Sequence, residues 1–132
     1  MPADLGEFVQ RDAALLAQLG WKEFCESRRQ RSNFNNLKTL EHPAQQLLQH
    51  VKLHGVPVIL KSTPWSQHQR DAAIQRGPHN SCLEFVDFLE EEFVDMIGKN
   101  QWVVLPYQSV KHLNNLRISP PGVVPQRDRR PR

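Results

Sequence analysis

Four arginines crowd one end of this 132-residue chain: Arg127, Arg129, Arg130 and Arg132, interrupted only by Asp128 and Pro131. A guanidinium offers several N–H donors in a fixed fork that matches phosphate and carboxylate oxygens. The chemistry these residues suggest is the holding of a polyanion, nucleic acid or another, through backbone charge and without sequence preference. The formal charge of the chain is +3, and residues 127–132, four arginines less one aspartate, account for all of it. The preceding residues are neutral as a group.

Other reactive groups are present without the company that chemistry needs. Glu90, Glu91, Glu92 and Asp95 form the one dense carboxylate group, and two-metal phosphoryl transfer does use carboxylates. Consecutive helix positions diverge around the axis, however, so these side chains read better as a solvated helix face. His50 and His54, four apart on an expected helix, could supply half of a metal site, but no H-E-x-x-H pattern or further ligand completes it. Cys25 has no assigned base or acid beside it, and reads as a half-buried thiol rather than a nucleophile. Trp21, Trp65, Trp102 and Phe85 could stack bases, yet their spread among apolar neighbours favours packing.

The elements that must position these groups follow from periodicity. Leu5 to Leu19 places apolar residues on one helical face, with Asp4 as a cap and Gly20 as a stop. Trp21 to Leu40 reads as a short helical piece followed by a polar linker through Ser32-Asn-Phe-Asn-Asn36. A helix begins near Pro43 and ends at Gly55, and Val56-Pro-Val-Ile-Leu60 has the β-branched composition of a strand, with Pro57 confining it to an edge. Thr63-Pro-Trp65 reads as cap and first turn of a helix over 66–76. Residues 81–99 carry the clearest pattern, with Cys82, Phe85, Val86, Leu89, Phe93, Met96 and Ile97 on one face and Ser81 with Glu84 as a capping box. Trp102 to Leu105 reads as a strand, Ser109 to Leu116 as a helical turn or two, and Val123 and Val124 as the start of another strand.

The order of these last elements resembles the segment that leads into the fingers of a retroelement reverse transcriptase. In that family a helix, a glycine and a short apolar strand precede a second strand of the type V-V-P-x-K-K-D-G-x-x-R. Here Pro125, Gln126, Arg127, Asp128, Arg129, Arg130, Pro131 and Arg132 match P-K-K-D-G-x-x-R without a gap. Gln126 replaces the first basic residue, and Arg129 stands where a glycine gives the turn its positive φ. The resemblance implies that Arg127 and Arg132 meet the triphosphate of an incoming nucleotide. It also implies that the magnesium-holding aspartates belong to palm strands beyond Arg132, so that Mg²⁺ enters only in an intact polymerase. The expectation is a truncated retrotransposon polyprotein remnant, catalytically incompetent by itself, with the remainder of the polymerase as its natural partner.

The expected fold is therefore α+β and mainly α-helical, an incomplete domain with short strands near 56–60, 102–105 and 122–125. A disordered basic C-terminus over 117–132 completes the expectation. Residues 1–80 form an unassigned helical region preceding the polymerase domain, and 81–132 the reverse-transcriptase-like part. The alternative is a small helical interaction protein whose tail, Arg127, Arg129, Arg130 and Arg132, binds nucleic acid. Two cysteines without a C-x-x-C pair indicate neither a disulfide scaffold nor a zinc ribbon, and so a reduced, intracellular setting, nucleus or cytoplasm. No apolar run approaches the ~18 residues of a membrane span, so no membrane partner is expected.

Overall fold

A computed structural model describes residues 4–30 and 36–132; the expected linker across 31–35 lies outside them. The architecture is mainly helical. Helix α1 (Leu5–Leu19) begins where the Asp4 carboxylate accepts the Gly6 N–H and ends at Gly20, whose φ of 79° only glycine adopts without strain. Helix α2 (Trp21–Gln30) follows directly, then a 3-10 turn (Asn36–Thr39) and α3 (Gln45–His54). Helix α4 (Gln67–Arg76), α5 (Ser81–Glu84), α6 (Val86–Gly98) and α7 (Tyr107–Val110) complete the order. Helix α1 packs against α2, α6 and α7, while α2 also packs against α3.

The core is small. Phe24 of α2 and Ile97 of α6 are each 1% exposed, and Leu16, Ala73, Cys82 and Val123 join them in the interior. Trp102 packs edge-on against Phe93 and its carbonyl accepts from Arg28 Nη2 at 2.9 Å, which ties the chain after α6 back to α2. Trp21 stacks on Phe24, and Arg117 lies over Trp65. Each ring thus has a partner in the fold, while Trp21 and Trp102 keep 42% and 39% of their surface exposed.

Several expected boundaries move, each for a local reason. The cap of α4 is Ser66 rather than Thr63: its hydroxyl accepts the Gln69 N–H and Gln69 Oε1 accepts the Ser66 N–H, a reciprocal capping box. Ser66→Ala is expected to lower stability by about 1 kcal/mol, read as a shift of the urea midpoint with unchanged slope. The periodic segment 81–99 is two helices, because Phe85, at φ −125° and ψ 38°, breaks the ladder. Ser81 does not cap it: its hydroxyl instead accepts the Val123 N–H at 3.0 Å, from 42 residues further along the chain.

The expected strands are not formed as ladders. Among the described residues, Val56–Leu60 and Trp102–Leu105 make no sheet pairing, since no neighbouring strand lies alongside either. The C-terminal segment departs furthest from its expectation: in place of a loose tail with an unpaired edge, it folds back onto the helices. Val123 is 4% exposed, the His79 N–H donates to the Pro121 carbonyl, and Cys82 Sγ lies 3.4 Å from the same oxygen. Gly122 permits this approach, since a Cβ there would meet His79 Cδ2 at 3.2 Å.

Candidate nucleic-acid interface

The arginine-rich segment is a short hairpin. Val124 and Arg132 exchange two backbone hydrogen bonds, and Gln126 and Arg129 form an antiparallel bridge. The return arm holds one residue more than the outgoing arm, so it bulges through Arg130-Pro131, where proline's missing N–H removes no pairing. Arg127 and Asp128 form the tip. The positive φ that the polymerase pattern assigns to a glycine falls one residue earlier, on Asp128 at 55°. Aspartate tolerates that region better than most residues, and Arg129 is thereby left in ordinary backbone geometry.

The four arginines divide into two pairs. Arg130 lies back along α6: its Nη2 donates to Glu92 Oε2 at 2.9 Å and its guanidinium sits 5.0 Å from the centre of the Phe88 ring, with the side chain still 60% exposed. Phe88 and Glu92 lie four apart on α6 and so share one flank. Glu92 is thus a tether for the hairpin rather than part of a solvated face. Arg132 is used within the hairpin, with the Gln126 amide oxygen accepting from its Nε and Nη2 once the amide is turned to face it. Arg127 and Arg129 point into solvent. The side chain of Arg127 is 98% exposed, and among the described residues its ion pair, to Asp128 at 3.9 Å, is long and nearly as exposed. The two residues that the resemblance assigns to the triphosphate thus differ in their partners within the hairpin, Arg132 facing Gln126 and Arg127 extending into solvent.

Sequence reasoning did not find Phe88, Glu92, Ser81 or Gln126 as the supports of this hairpin. The i, i+4 spacing of Phe88 and Glu92 was the available signal, but it identifies a flank without saying what covers it. A second polar cluster was also missed. The Tyr107 hydroxyl donates to Asp71 Oδ1 at 2.8 Å, and Gln67 Nε2 donates to the same oxygen at 2.8 Å. Lys111 borders the open depression of about 530 Å³ beside them.

The Asp71 carboxyl is held below its ordinary range, first by the hydrogen bond from Tyr107 and then by that from Gln67. The Tyr107 phenol is raised, first by loss of solvent and then by its bond to Asp71 and that residue's charge. Any stability from Tyr107 is present below the ordinary phenol value and is lost as pH rises through its raised one. Asp71 contributes above its ordinary carboxyl value and loses this as pH falls. Tyr107 is the single tyrosine, so phenolate absorbance reports it alone. Its midpoint is expected above the ordinary value of about 10, and Asp71→Asn should bring it back down.

The remaining candidates do not converge. The His50 and His54 rings lie 4.6 Å apart, but no group of three or more His, Cys, Asp or Glu able to hold a metal occurs among the described residues. Burial raises the Cys25 thiol, and the opposing charges of Arg29 and Arg28 do not cancel this, which disfavours the thiolate. Asp95 pairs with Lys99 at 2.6 Å. No helix among the described residues is long and apolar enough to cross a membrane. No family model, curated protein or solved structure matches the chain.

Proposed function

We propose that residues 81–132 are the segment leading into the fingers of a reverse-transcriptase-like retroelement protein. In this reading the hairpin over 123–132 is a phosphate-gripping element and residues 1–80 are a helical region that precedes the polymerase domain. The observation that supports it is the hairpin itself. A motif matched on residue types alone has the turn, the basic tip and the fixed base that a phosphate grip needs, with Val123 buried and Arg130 tied to Glu92. The reading assigns these residues no polymerase activity of their own, because the aspartates that would hold two Mg²⁺ ions belong to palm strands. It implies an intracellular setting.

The exposure of Arg127 and Arg129 also favours the second reading, a helical interaction protein that binds nucleic acid through backbone charge. The two readings differ in ligand. Fluorescence anisotropy of a labelled oligodeoxythymidylate, competed with a deoxynucleoside triphosphate and Mg²⁺, separates them. Displacement by the triphosphate well below the concentration at which inorganic phosphate acts supports a nucleotide grip. Displacement by both in proportion to their charge supports the polyanion-binding tail, and no oligonucleotide binding at low salt contradicts that second reading.

A further inference from the structure

Between α3 and α4 the chain displays five consecutive apolar residues, Val56-Pro-Val-Ile-Leu60, all on the surface. Val58 is 77% and Ile59 89% exposed. A run of this kind is ordinarily buried, and leaving it in water forgoes its hydrophobic stabilisation. Both ends are fixed. The Gly55 N–H donates to the Val51 carbonyl and closes α3, while Arg117 Nη2 donates to the Ser62 hydroxyl and to the Ser62 and Thr63 carbonyls. Among the described residues no backbone group of 56–60 makes a hydrogen bond.

Local chemistry favours an extended conformation: Pro57 fixes its own φ, restricts Val56 to extended backbone, and is followed by two β-branched residues. In an extended strand, backbone groups alternate between the two edges. Pro57 and Ile59 fall on one edge, which lacks a donor, and Val56, Val58 and Leu60 on the other, which is complete. One edge is thus able to accept a partner strand.

The surrounding charge selects the partner. No carboxylate occurs between Glu41 and Asp71, whereas Lys52 and Lys61 bracket the run with His54 close by. Neither lysine makes an ion pair among the described residues. A second copy paired through the same run would bring these cations together. We propose that Val56–Leu60 is a docking strand that captures an extended, apolar segment of another protein flanked by carboxylates, by strand addition along the Val56, Val58, Leu60 edge.

The test uses the full chain and a fluorescein-labelled synthetic peptide of alternating valine and threonine with aspartate and glutamate at both ends. Binding is expected, with a counterpart peptide flanked by lysines binding at least about tenfold more weakly. Val58→Pro removes a donor from the competent edge and should weaken binding about tenfold, the equivalent of one ladder bond, while Ile59→Pro, on the edge already blocked, should leave it nearly unchanged. Lys52→Glu with Lys61→Glu should reverse the preference between peptides. Unchanged far-ultraviolet circular dichroism is expected for the two proline variants, since among the described residues the run makes no backbone hydrogen bond. Equal binding of both peptides, equal loss from the two proline variants, or sedimentation as a dimer that Val58→Pro dissociates would each overturn the proposal.

Discussion

Replacing Arg127 and Arg129 together with alanine is expected to weaken binding of single-stranded oligonucleotide by about ten- to a hundredfold at low salt. It should also flatten the dependence of log affinity on log salt by about 0.7 for each phosphate that is no longer neutralised. Arg127 stands at the tip of the hairpin with Arg129 beside it, and among the described residues the ion pair of Arg127 is a 3.9 Å contact with its exposed neighbour Asp128. Exposed pairs of that kind are weak, so phosphate meets little competition. Arg130→Ala should act differently. Its guanidinium is already committed to Glu92 and Phe88, so its loss should loosen the hairpin while largely sparing the salt slope. Glu92→Gln separates the two effects further, because it removes the ion pair without removing an arginine. An equal change of slope for every single arginine variant would show that the fold of the hairpin does not matter to binding.

Val123→Asp should be among the most destabilising single changes in the chain, with Val124→Asp beside it nearly silent. Val123 is 4% exposed and donates its backbone N–H to Ser81, whereas Val124 is 60% exposed. A carboxylate introduced at 123 would be buried without a partner, a class of change that costs about 3–5 kcal/mol, while surface changes stay within about 0.5 kcal/mol. Domains of this size have about 5–15 kcal/mol in total, and the core here is thin, so a large part of the folded population should be lost. Urea melts of the two variants read the difference directly. A small effect at 123 would mean that the C-terminal segment is not part of the folded unit.

The helices were legible because their signals are local. Asp4 and Gly20 bound α1 and Gly55 ends α3 through short-range chemistry that the sequence carries on its surface. Ser81 shows where such reasoning stops. Its type and its spacing to Glu84 suit a cap, but a residue of the distant C-terminal segment claims the hydroxyl instead. The strands failed for a related reason. Trp102–Leu105 has strand-like residues, yet a strand needs a neighbour, and Trp102 is spent on Phe93 and Arg28. At the candidate site, residue types and register pointed to the arginines. What sets Arg130 and Arg132 apart from the other two is their contact with Glu92, Phe88 and Gln126, which no local pattern states.

In the proposed role, a hairpin fixed to α6 presents Arg127 and Arg129 to phosphate. Nuclear magnetic resonance of the guanidinium Nε–H groups, followed while oligodeoxythymidylate is added, reads out that contact residue by residue. The Arg127 and Arg129 signals should shift first and furthest, with Arg130 holding its position against Glu92. Shifts confined to Arg28 and Arg29 of α2, or an Arg130 signal that moves together with the tip, would contradict that role.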